Sequence, residues 1–178
     1  MTVAEAKLRE LGITLPDLAA EATDDDIYGS RLVSYRHKNN VLYLAGSIPW
    51  RDGAPVNPGV LGKDLTVEQG YEAARWAMIA ALATMKLALG DLDRFDHILQ
   101  LTGFVSSAPG FIDQPKVING ASDLIIAVYG DGGLAARAAI GSMGLVMNSS
   151  VELVMTVAYT GEGIREPLEK STPRSGGE

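Results

Sequence analysis

The chain has 178 residues, 47% of them hydrophobic, which is enough for one domain with a proper core and too much for a chain disordered throughout. Its 15 Lys and Arg against 22 Asp and Glu leave a net charge of -7, which argues against a sequence-independent grip on phosphate backbones. With no cysteine and 2 histidines, the chain has no disulfide framework, thiolate nucleophile or cysteine-based metal centre, and it cannot supply a three-histidine site.

The opening MTVAEAKLRELGITL intersperses charges and lacks the continuous apolar core of a secretory signal. The longest uncharged apolar run, 76–85, is far short of the ~20 residues of a membrane-spanning helix, so the expected location is cytoplasmic. Residues 4–11 predict a short amphipathic helix stopped by Gly12, with Leu8 and Leu11 on one side. Residues 16–26 are acidic and without period; Asp24-Asp25-Asp26 reads as a solvated loop, because three adjacent carboxylates cannot converge on a metal unaided. From 32 the pattern changes to two strands, 32–36 and 41–45, forming a β-hairpin around Lys38-Asn39-Asn40, with the basic run Arg36-His37-Lys38 at its solvated end. Gly46 ends the hairpin and permits close backbone approach. Arg51-Asp52-Gly53 reads as a turn, and 55–63 leaves room for a short strand around Val60.

Thr66 and Gln69 have the spacing of a capping box, and Glu68 suits the positive end of the helix that follows. Tyr71, Ala74, Met78, Ala81, Leu82, Met85 and Leu89 make its apolar stripe, which stops at Gly90. Residues 95–105 predict a strand, with His97 near its start as a structural hydrogen-bonder. After a loop at 106–110, Asp113 is placed to cap a helix with Pro115 in its first turn and Val117, Ala121, Leu124, Ile125 and Val128 on its core face. Asn119 and Asp123 lie one turn apart, off that stripe. Gly130-Asp131-Gly132-Gly133 follows a helix and precedes a strand, the reverse of a dinucleotide fingerprint, and reads as a turn.

The last two strands read as a pair joined by a short turn, and they carry one arginine and one glutamate. Arg137 opens the first, with the small residues Ala139 and Gly141 on its side leaving open space for a ligand. In the second, Val151, Leu153, Met155, Val157 and Tyr159 alternate with Glu152, Val154, Thr156 and Ala158. The residues alone leave two readings open, an Arg137–Glu152 ion pair bracing an interface or a ligand site. The chain divides into an N-terminal helix and loop extension, 1–27, a core domain, 28–161, and a tail, 162–178, whose low apolar content predicts mobility. The fold class is α+β, with two helices on one face of a sheet and other copies of the chain expected on the second, also apolar, face.

Leu44-Ala45-Gly46-Ser47-Ile48-Pro49, Ala108-Pro109-Gly110-Phe111, Gln114-Pro115-Lys116-Val117-Ile118-Asn119-Gly120, Ala136-Arg137-Ala138-Ala139-Ile140-Gly141 and Val151-Glu152 occur in that order. Over about 32–158 they resemble the YjgF/RidA family, often labelled endoribonuclease L-PSP. The resemblance implies a chorismate-mutase-like mixed sheet with two helices on one face, and a homotrimer whose sheets form a barrel with a ligand cleft at each subunit interface. It also implies hydrolytic deamination of a small enamine or imine acid to a 2-oxo acid and ammonia, without metal or organic cofactor. Arg137 would bind the substrate carboxylate, Glu152 would position the attacking water, and Asn119, Gly46 and Ala139 would line the cleft. The alternatives are a non-catalytic 2-oxo acid binder or chaperone-like trimer and, weakened by the acidic charge and the lack of a histidine pair, an endoribonuclease or translation inhibitor. Leu32 stands where the RidA pattern has a tyrosine, which leaves Tyr28 or Tyr35 to reach the cleft, and Ala45 stands where it has a serine. Ala139 replaces a cysteine at a position that acts through its backbone, and the N-terminal extension points to a subgroup distinct from RidA itself.

Overall fold

The computed structural model describes residues 2–18 and 32–167; the acidic triplet Asp24-Asp25-Asp26 and Tyr28 lie outside them. Helix α1 (Val3–Glu10) starts at Thr2, which exchanges both capping-box bonds with Glu5. Asp93 accepts from the Val3 and Ala4 N–H groups at 2.7 and 2.8 Å, and Lys86 pairs with Glu5, so both ends of the contact tie the helix to the domain. Ala4 and Leu8 are its buried residues, while Leu11 sits past the last turn and is exposed.

Strands β1 (Tyr35–Lys38) and β2 (Val41–Leu44) form the expected hairpin, but Lys38 pairs with Val41, and the turn is Asn39-Asn40 alone, both with positive φ. Around Asp52-Gly53, β3 (Trp50–Arg51) and β4 (Ala54–Pro55) make a separate small hairpin. No strand forms around Val60: Asn57, Gly59 and Gly62 take positive φ and break the ladder, leaving only bridges from Leu61 to Leu65 and Ser107.

Helix α2 (Val67–Leu89) opens on the predicted Thr66–Gln69 capping box and closes at Gly90. Helix α3 (Gln114–Tyr129) has Pro115 in its first turn, but Asp113 makes no side-chain cap; its carboxylate is drawn to Lys116 at 2.9 Å. The strands β5 (Phe95–Ser106), β6 (Ala136–Ser142) and β7 (Val151–Tyr159) complete a mixed sheet of order β1-β2-β7-β5-β6. The expected β6–β7 pair is therefore corrected. The chain leaves β5, crosses through α3 and returns as β6 parallel to it, while β7 pairs antiparallel on β5's other side.

Helices α2 and α3 cover one sheet face, burying Leu42, Leu101, Val105, Leu153, Met155 and Val157. The two helices cross almost backbone to backbone, since a Cβ at Gly120 would lie 1.9 Å from the Tyr71 carbonyl oxygen. The opposite face carries no helix among the described residues, and Tyr43, Ile140 and Val154 on it are 51%, 45% and 39% exposed. Part of the tail expected to be mobile is fastened. Arg94 donates to the Thr160 and Gly163 carbonyls, the Arg165 N–H donates to Ala88, and the Tyr35 hydroxyl donates to the Arg165 carbonyl at 2.6 Å. Residues 168–178 lie outside the described residues. Among the described residues, no helix is long and apolar enough to cross a membrane.

Candidate active site

Arg137 stands on the edge strand β6, opposite Leu101 and in one row with Met155, which turns its side chain to the helix-covered face. There α3 presents Pro115, Asn119 and Ser122 along one stripe, spaced four and three residues apart. Arg137 Nη1 donates to Asn119 Oδ1 and to Ser122 Oγ, each at 2.9 Å, and Nη2 reaches the Pro115 carbonyl at 3.5 Å. Arg137 and Asn119, two of the residues that the resemblance marks, thus meet within one chain. Ser122 is new, and the i,i+3 spacing from Asn119 was the available signal. Asp123 instead accepts from the Tyr71 hydroxyl at 2.8 Å, which raises the Tyr71 pKa and joins α2 to α3. Ala139 shares Arg137's face, half-buried opposite Gly103. The open space expected beside Gly141 is taken by α3's first turn: a Cβ there would lie 3.0 Å from Gln114 Nε2.

Glu152 sits elsewhere. It lies opposite Phe104, in one row with Ile140, on the uncovered face. Gly46 lies against it so closely that a Cβ at Gly46 would be 1.9 Å from Glu152 Oε1; only glycine lets the carboxylate rest on that backbone. Glu152 is half-buried and makes no hydrogen bond or ion pair among the described residues, and burial pushes its pKa above the usual carboxylate value.

The candidate residues therefore form two groups. Arg137, Asn119, Ser122 and Ala139 lie at the β6 edge on the helix side, and Glu152 and Gly46 lie on the bare side. Arg137 and Glu152 are two strands and three register positions apart, roughly 14 Å by standard strand spacings, on opposite faces. An ion pair between them within one chain is excluded by that register. Tyr35 is not available to a cleft, being 1% exposed with its hydroxyl held by Arg165, whereas Leu32 is exposed and Ala45 half-buried. His97 pairs with its neighbour Asp96 at 3.0 Å. Among the described residues no three His, Cys, Asp or Glu side chains cluster as metal ligands. A cleft of about 640 Å³ lies under residues 13–18 and the last turns of α2, lined by neither Arg137 nor Glu152. That cavity is therefore not where the candidate residues sit.

A family model described as "YjgF/chorismate mutase-like, putative endoribonuclease" matches residues 5–159, so the match begins within α1. Protein TCP17 of Trypanosoma cruzi is 41% identical over 149 residues, covering 83% of this chain and 89% of its own. Among solved structures, a protein of unknown function from Agrobacterium tumefaciens is 38% identical with a TM-score of 0.80, covering 89% of this chain and 93% of that one. A protein from Shewanella oneidensis with the same endoribonuclease designation is 30% identical with a TM-score of 0.78, covering 89% and 99%. The mixed sheet with its helices on one face and the span of these matches agree: the chain belongs to the YjgF/RidA family.

Proposed function

We propose that this protein deaminates a small enamine or imine acid by hydrolysis, giving a 2-oxo acid and ammonia, at a site assembled between copies of the chain in a homotrimer. The observation that carries this reading is the Arg137 guanidinium, braced by three acceptors of α3 on an exposed sheet edge with donors left over. Such a group takes a carboxylate through two parallel hydrogen bonds and fixes the orientation of the attached C=N group. The bare sheet face bearing Tyr43, Ile140 and Val154 is the surface a second copy covers, and ring closure brings Arg137 of one copy to Glu152 of the next.

In this mechanism Glu152 takes a proton from a water as its oxygen bonds to the imine carbon. The C=N π pair moves to nitrogen, which takes that proton back from Glu152. Glu152 then takes the carbinolamine hydroxyl proton and passes it to the nitrogen, after which the C–N bond breaks, its electron pair leaves with ammonia and the C=O bond forms. A carboxyl whose pKa is raised by burial is suited to both directions of transfer. Backbone groups at Gly46 and Ala139 hold the remaining polar atoms of the substrate.

The test is 2-oxo acid release from freshly generated imine, compared with buffer alone. Arg137→Ala is expected to lower the rate by about a hundredfold or more with assembly retained; full activity in that variant overturns the carboxylate clamp. Bound pyruvate without a rate above buffer makes the protein a binder. The family's description favours RNA cleavage as a second reading. RNA hydrolysis that survives Arg137→Ala and weakens with salt is the result that reading requires.

A further inference from the structure

A guanidinium has five N–H donors, and the way Arg137 uses them decides which of its edges is left for a ligand. Both Nη1 hydrogens are engaged, one by Asn119 Oδ1 and one by Ser122 Oγ, each at 2.9 Å. Nη2 gives one hydrogen toward the Pro115 carbonyl at 3.5 Å. Among the described residues the Nε–H has no acceptor, and Nη2 has one hydrogen left beyond that long contact; the Nε–H and the Nη2–H beside it are parallel in any guanidinium. The contacts to α3 are all made by the two Nη groups and none by Nε.

Resting on the carboxylate-clamp reading above, we propose that Ser122 is a positioning residue. With Asn119 it holds both hydrogens of Nη1, so that Arg137 presents its Nε/Nη2 flank, not its Nη1/Nη2 end, to the substrate carboxylate. Without Ser122, Nη1 keeps one bond to Asn119 and Nη2 only the long contact to the Pro115 carbonyl, a looser hold on the guanidinium plane. Two acceptors three residues apart on one helix fix its plane, because the helix sets the distance between them. Ser122 does not touch the substrate. Its effect is on how tightly and in which orientation an acid docks, and the proton transfers at Glu152 do not pass through it.

The experiment compares wild type, Ser122→Ala and Ser122→Thr in three measurements: the pyruvate Kd by calorimetry, KM and kcat on freshly generated imine, and a crystal structure with pyruvate. Ser122→Ala is expected to weaken pyruvate and raise KM together by roughly tenfold with kcat within about twofold, while Ser122→Thr, which keeps the acceptor, stays close to wild type. The crystal structure is expected to show the carboxylate on Nε and Nη2. Pyruvate binding of wild-type strength in Ser122→Ala, or a carboxylate seated on Nη1, overturns the positioning role and leaves the clamp standing. A wild-type protein that binds pyruvate nowhere near Arg137 overturns the clamp itself and this inference with it. Equal losses in Ser122→Ala and Ser122→Thr, accompanied by a lowered Tm, identify a packing role and also overturn the proposal.

Discussion

Within one chain, and among the described residues, Glu152 rests on the Gly46 backbone with no cation or donor beside it, so folding of the chain removes water from the carboxylate without supplying a partner. Its pKa in the fold lies above the ordinary value. Between those two values the folded state holds more protons than the unfolded one, and stability falls as pH rises through that window. Above the window the destabilisation is complete, and below the ordinary carboxylate value it is absent. Glu152→Gln keeps the shape without the charge. It is expected to melt above wild type at about pH 8, with the gap closing by about pH 4, in thermal scans across that range. A gap independent of pH would place its origin outside the carboxylate. The same contact makes Gly46→Ala a probe of position: a Cβ and Oε1 cannot share 1.9 Å, and the carboxylate, at the end of a flexible side chain, is what yields. Steady-state kinetics should show kcat lowered by about tenfold or more, with Tm little changed.

Helix α3 has three tasks on three sides. Val117, Ala121, Leu124 and Ile125 face the core, Pro115, Asn119 and Ser122 hold Arg137, and Gly120 meets α2. At Gly120 the obstacle to a Cβ is backbone, which cannot swing aside, so Gly120→Ala must push the helices apart. A loss of about 1–3 kcal/mol in urea unfolding is expected, with activity falling too because the stripe that braces Arg137 moves with the helix. Thr66→Ala provides the contrast. It removes the hydroxyl that caps α2 at 3.3 Å, is expected to cost about 1 kcal/mol, and should leave kcat unchanged, because that helix end contributes nothing to Arg137 or Glu152.

In the whole molecule, the two charged groups sit on opposite faces of one sheet, so the cooperation proposed for them requires two copies of the chain. Mixing unfolded Arg137→Ala and Glu152→Gln chains in equal amounts and refolding them together tests this directly. Each parent is expected to be nearly inactive, yet random trimers of the proposed kind should regain about a quarter of wild-type activity, since one site in four pairs an intact arginine with an intact glutamate. No recovery on refolding would show that both groups must come from one chain. Much of this arrangement was legible beforehand. The Thr66–Gln69 capping box, the long helix and its Gly90 stop and the alternation of β7 all depend on neighbours a few residues away, and each formed as read; the first hairpin formed too, with its first strand two residues later than expected at its C-terminal end. Asp113 was misread as a cap because Lys116 competes for its carboxylate, and the strand expected at Val60 was lost to three left-handed residues. Arg137 and Glu152 are identifiable as charges in apolar strands and Gly46 as the glycine ending one, whereas Asn119 is marked only by the family resemblance. Their facing was not. Short-range pattern cannot say whether β6 returns beside β7 or across β5, and one strand's displacement decides which neighbours each side chain meets. Sequence by itself determined the elements, the apolar faces and the chemistry available. Only the tertiary structure, through the parallel crossover that puts β6 at the edge beneath α3, gave Arg137 its brace of Asn119 and Ser122 and set Glu152 on the opposite face.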